Sequence, residues 1–75
     1  MNMQIHINIP TGHYIGQVRL VGHKKWETVT EQRDNPESAM AEAVLSMSPR
    51  HIRARVLFVD AGGYYEPNIV MECKR

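Results

Sequence analysis

The chain is poor in several things, and each shortage excludes something. A single cysteine, Cys73, among 75 residues rules out an intrachain disulfide. Stability must then come from the core, a metal or a partner chain, and a reducing cytoplasm is the compartment that such cysteine usage suits. Charge of one sign is not in excess: nine Lys and Arg stand against eight Asp and Glu, for a net charge of +1. That balance offers no acidic tail and no strong overall pull on nucleic acid. No apolar run approaches the ~18 residues of a membrane span, so no membrane partner is expected. Met1-Asn2-Met3-Gln4 carries no basic segment followed by an apolar stretch, so no secretory signal is expected either. There is no glycine-rich phosphate loop, because Gly62-Gly63 precedes strand-like rather than helix-like sequence.

What is present describes one small globular domain. Hydrophobic residues make up 43% and charged residues 23%, which is ordinary for a folded chain rather than a disordered one. Five methionines suit an adaptable core. Domains of this size bury only about 60% of their unfolded surface, which makes a homodimer or partner complex a natural expectation.

Periodicity places the elements. Met3, Ile5, Ile7 and Ile9 alternate with polar residues and predict a half-buried strand, ended by Pro10 and Gly12. Residues 14–21 predict a second strand. Tyr14, Gly16, Val18 and Leu20 form its inward face, while Gln17 and Arg19 mark the wet one. Gly22-His23-Lys24-Lys25 is a polar turn, and residues 26–32, rich in Thr, Val and Trp, predict a third strand. Asn35 is placed to cap a helix and Pro36 to occupy its first position. Ala39, Met40, Ala43, Val44 and Met47 then form an apolar stripe of about three turns, closed by Pro49. Residues 53–60 form a strand whose centre, Val56-Leu57-Phe58-Val59, is apolar throughout, so it is expected in the middle of the sheet. Ala61-Gly62-Gly63 is a turn, and residues 68–73 form the last strand, with Pro67 suggesting an edge. The fold class is α+β: a single domain of order β-β-β-α-β-β, with one amphipathic helix packed on an antiparallel sheet of four or five strands.

Few residues suggest chemistry. His6, His13, His23 and His51 show no ligand spacing and Cys73 stands alone, so no metal or cofactor is expected. Cys73 alternates with Ile69 and Met71 and suits a small core position better than a nucleophile. A ligand-sized pocket is hard to build in so short a chain, so no enzymatic role is expected.

The large side chains are more informative. Trp26, Tyr64, Tyr65, Arg53 and Arg55 are of the types that dominate interface hot spots, and they are the candidate partner-binding residues. Arg53 and Arg55 share a strand face, which Arg19 can join; with Lys24 and Lys25 these make a candidate nucleic-acid surface beside Trp26. The competing reading is a solvated face balanced by Glu27, Glu31 and Glu72, and the net charge of +1 favours it. Tyr64 and Tyr65 suit an interface anchor or a packing role equally.

Asp34-Asn35-Pro36 opens an alanine-rich helix through Ala39, Ala41, Ala43 and Met47. An N-terminal hairpin precedes it and a final hairpin over 56–71 follows. In this order of elements the chain resembles small phage-encoded inhibitors of bacterial defence, the anti-CRISPR proteins, in particular those of type I-F. The resemblance spans most of the chain but carries no site motif, so no functional residue transfers with it. It implies a non-enzymatic protein that modulates a host protein or nucleoprotein complex by covering a surface. Many such inhibitors are acidic, and this chain has no acidic excess, which leaves steric blocking. Direct nucleic-acid binding through the sheet is the alternative expectation, and a structural homodimer is the third.

Overall fold

The computed structural model describes residues 11–63 and 65–75. The strand expected at residues 3–9, and the candidate residue Tyr64, lie outside that set. The described elements are β1 (Gly12–Leu20), β2 (Glu27–Thr28), α1 (Pro36–Leu45), β3 (His51–Asp60) and β4 (Asn68–Lys74). The strands form one antiparallel sheet in the order β2-β1-β3-β4, with α1 packed on one face. This is the expected α+β architecture, with β3 in the interior of the sheet. Val56 is fully buried on the helix side, and Leu57, projecting from the opposite face, is 7% exposed.

The helix begins where its sequence dictates. Asn35 has extended backbone angles, and its side-chain Oδ1 accepts a hydrogen bond from the Ser38 N–H at 2.7 Å. Pro36 sits in the first turn, and Glu37 lies near the positive end of the helix dipole. The helix ends at Leu45, earlier than Pro49 alone would require. Ser46 caps it, and its hydroxyl donates back to the Glu42 carbonyl at 2.9 Å.

Small residues set how closely helix and sheet approach. The core comprises Val18, Ala39, Met40, Ala43, Ala54 and Val56, with Tyr14, Val29, Met47 and Met71 packed against it. Three of these six core residues are alanine. Gly16 lies beneath the helix, where a Cβ would come within 2.7 Å of the Ala39 carbonyl oxygen and 2.9 Å of the Ala43 Cβ. A larger side chain there would push the helix off the sheet and open voids around Val18 and Val56.

The third expected strand is largely replaced by irregular chain. Only Glu27 and Thr28 pair with β1, opposite Val18 and Gln17. Val29 still donates to the Gly16 carbonyl at 3.0 Å, and Thr30 then turns its hydroxyl inward to accept the Gly16 N–H at 2.8 Å. Thr30 therefore lies on the helix side, rather than on one face with Trp26 and Thr28 as strict alternation predicts. The chain rejoins β1 at a bridge between Tyr14 and Arg33. Gly22, with φ of 77°, supplies the left-handed conformation that turns the chain after β1.

Candidate anionic-ligand interface

Cross-strand register builds the site. Arg19 on β1 lies directly opposite Arg53 on β3, and Arg53 lies opposite Lys74 on β4. Gln17, Arg55 and Glu72 form the adjacent row in the same way, and Thr28 extends it onto β2. Directly opposed residues project from the same face. Both rows therefore occupy one face, opposite the one carrying Val18, Ala54 and Val56 against the helix.

Trp26 lies just before β2 and closes over the arginines. The Arg55 guanidinium carbon is 4.1 Å from the Trp26 ring centroid, and that of Arg19 is 5.2 Å away. These are cation–π distances. Arg55 Nε donates to Gln17 Oε1 at 2.8 Å, and Gln17 Nε2 donates to Thr28 Oγ1 at 3.0 Å, so a relay of side chains fixes the guanidinium. Partial removal from water holds the Arg55 guanidinium below the ordinary arginine range; Glu72 pulls it upward and Arg19 pushes it further down. Arg19 Nε is buried with no hydrogen-bond partner among the described residues. Both observations place the stems of the two arginines in a partly desolvated layer under the indole.

Charge is sorted between the two sides of the sheet. On the strand positions of the open face, Arg19, Arg53, Arg55 and Lys74 meet one carboxylate, Glu72, among the described residues. Lys24 and Lys25 are exposed in the connection leading to Trp26. By contrast, Glu31, Asp34, Glu37 and Glu42 lie on the β2–α1 connection and the helix. There the Arg33 Nε donates to Glu42 Oε2 at 2.7 Å, a partly exposed ion pair. That hydrogen bond holds the Glu42 carboxyl below its usual range and Arg33 above its own. A net charge of +1 over the whole chain therefore conceals a basic face and an acidic side.

Of the candidate residues, Trp26, Arg53, Arg55 and Arg19 come together, with Lys24 and Lys25 at one edge. Tyr65 does not join them. It is 76% exposed in the β3–β4 turn, and Asp60, where β3 ends, is about 17 Å along the strand from Arg55 at ~3.3 Å per residue. Alternation already marks Gln17 as facing solvent, but only the cross-strand pairing places it beside Arg55 and Lys74 beside Arg53.

The remaining titratable groups make turns rather than sites. His51 Nδ1 accepts the Ser48 backbone N–H at 2.8 Å and lies 3.0 Å from the Ser48 hydroxyl. That is a nucleophile-to-base distance, but the ring nitrogen is already engaged by the backbone, and the pair caps the α1–β3 turn. Arg75 Nη1 reinforces the turn by donating to the Ser48 carbonyl at 2.8 Å. Cys73 is exposed, contrary to the core position that its alternation suggests. It pairs with the buried Ala54 but stands on β4, an outer strand of the sheet among the described residues. Among the described residues no three His, Cys, Asp or Glu side chains gather as a metal site, and no helix is long and apolar enough to cross a membrane.

Comparison with known proteins finds no matching family model, no matching curated protein and no matching solved structure.

Proposed function

We propose that the protein is a small non-enzymatic binding protein whose open sheet face engages the phosphate backbone of a nucleic acid. The observation that carries this reading is the row Arg19–Arg53–Lys74, three cations placed directly opposite one another on adjacent strands. Like charges in that relation are destabilising, and a polyanion laid along the face removes the penalty. Trp26 works here as a support: its ring is engaged by Arg19 and Arg55, so it orients guanidinium groups rather than stacking bases. Contacts of this kind position a protein on nucleic acid without reading sequence.

The test is binding of the full chain to labelled duplex and single-stranded oligonucleotides over a salt series. Phosphate contacts from the four cations of the face, Arg19, Arg53, Arg55 and Lys74, predict that log K falls against log salt with a slope of about −3 to −4. Arg53→Gln and Lys74→Gln should each lower affinity and flatten that slope by about one. Absent binding, or binding insensitive to salt, sinks the proposal.

A second reading has its own support. Tyr65, at 76% exposure, lies in the turn that leads to Ile69 and Val70, which are 51% and 44% exposed. Ile69 pairs with Leu57 and so extends the open face beyond the Arg55 row toward Tyr65. This exposed apolar end suits the anti-CRISPR-like role of a phage inhibitor docking on a host protein or nucleoprotein complex. That reading predicts capture of one host complex that survives nuclease treatment and is lost in Tyr65→Ala.

A further inference from the structure

The free edge of β4 carries information that the basic face does not use. Among the described residues β4 is an outer strand of the sheet, and residues 72–75 are exposed. Its ladder to β3 decides which backbone groups point outward. The Arg75 N–H donates to the Ile52 carbonyl at 3.0 Å, in the same register that sets Lys74 opposite Arg53 and Cys73 opposite Ala54. Bonded and non-bonded pairs alternate along an antiparallel ladder. Residues 71, 73 and 75 therefore turn their backbone groups toward β3, and Glu72 and Lys74 present theirs at the open edge. The register shift in this ladder falls between Val56 and Leu57, so the stretch from Met71 onward is regular.

An open, regular edge is a template for another strand, and charged side chains are the usual block. Here the two charges have opposite sign. For a second copy of the same chain, antiparallel pairing of these outward positions offers three registers. One sets Glu72 against Glu72 and one sets Lys74 against Lys74, and both place like charges directly opposite, which is unfavourable. In the third, each Glu72 faces a Lys74. It forms two bonded pairs and leaves the two Cys73 residues facing each other as a non-bonded pair. Their Cα atoms would then lie about 4.5 Å apart, a separation that a disulfide spans.

We propose that the β4 edge is the interface of an antiparallel homodimer centred on Cys73, with Glu72 opposite the partner's Lys74. Directly opposed residues share a face, so the two-fold axis runs perpendicular to the sheet. The sheets of the two copies then join through their β4 edges, with both helices on one side and both basic rows on the other. The pairing rests on the β4 register and on the Glu72 and Lys74 charges; Lys74 also belongs to the basic row of the proposed function.

Sedimentation equilibrium of the full chain under reducing conditions should show reversible dimerisation between micromolar and millimolar protein. Glu72→Lys and Lys74→Glu each place like charges opposite and should weaken association at least tenfold. The double swap carrying both changes should restore it. Circular dichroism of each variant checks that the fold is kept. A wild-type chain that stays monomeric throughout overturns the proposal, as does a dimer that neither single swap weakens. Oxidised glutathione provides a second readout. Two Cys73 thiols exchange with one glutathione disulfide, forming the Cys73–Cys73 bond and releasing two reduced glutathiones. The covalent dimer should form faster in wild type than in Glu72→Lys, and equal rates would exclude this register. Neither experiment involves nucleic acid, so the dimer and the basic-face proposal can fail separately.

Discussion

Arg53 lies directly opposite Arg19 across the β1–β3 ladder, with the Trp26 ring 5.2 Å from the Arg19 guanidinium carbon. Two like charges in that relation oppose folding, while their stems and the indole pack together. Replacing one charge separates the two effects. Arg53→Gln should leave stability unchanged or raise it by about 0.2–1 kcal/mol, the range of a cross-strand pair, while weakening oligonucleotide binding. Urea unfolding beside a binding titration checks both signs. A variant that loses both stability and binding would assign Arg53 to structure.

Trp26 supports two guanidinium groups at once. Trp26→Ala should lose the cation–π contacts, worth about 0.5–1 kcal/mol each where partly exposed, and should reduce binding by freeing Arg19 and Arg55. Trp26→Phe keeps an aromatic face and should recover most of the affinity. If instead bases stack on Trp26, quenching of its fluorescence on binding would be strong and would persist in high salt.

Gly16 limits how closely the helix can dock. In Gly16→Ala the added methyl would meet the Ala39 carbonyl oxygen and the Thr30 Cγ2, each at 2.7 Å. Backbone on one side leaves little room to adjust, so the expected cost is about 1–3 kcal/mol, as for other overpacked sites. Thermal or urea unfolding measures it. Wild-type stability in this variant would mean that α1 sits further from β1 than described.

Asn35 is the helix cap. Asn35→Ala removes the bond to the Ser38 N–H and should cost about 1 kcal/mol, whereas Asn35→Asp or Asn35→Ser should keep most of the stability. Urea midpoints of the three variants provide the comparison.

The Arg33–Glu42 pair makes stability depend on acid. The hydrogen bond from Arg33 lowers the folded-state pKa of Glu42 below its unfolded value. Its contribution is therefore fully present above the unfolded glutamate pKa and is lost as pH falls through the folded one. Glu42→Gln should flatten that part of the stability curve between neutral and acidic pH. Unfolding midpoints over that range measure it, and parallel curves for wild type and variant would show that the pair contributes nothing.

Local chemistry was enough to place several elements. Asn35 and Pro36 fix the helix start because a cap and a first-turn proline act on neighbouring backbone. The Tyr14-to-Leu20 alternation assigns Gly16 and Val18 to the buried face because strand side chains repeat every two residues. The apolar block at Val56 to Val59 marks an interior strand, flanked by β1 and β4, with Val56 buried on the helix side and Leu57 largely buried on the other. Of the candidate site, period-two spacing made legible a strand face shared by Arg53 and Arg55, which Arg19 could join, but not how these residues align across strands. Arg19, Arg53 and Lys74 are far apart in sequence, and the Arg55–Gln17 bond joins residues 38 positions apart. The tertiary structure alone decided that three cations share one row, that Trp26 packs on arginines, that Thr30 leaves the strand face, and that Tyr65 lies away from the cation row. The physical reason is that periodicity is set within one segment, whereas register is set between segments: which cation meets which depends on how β1, β3 and β4 align, and that alignment is fixed by the shared core beneath α1.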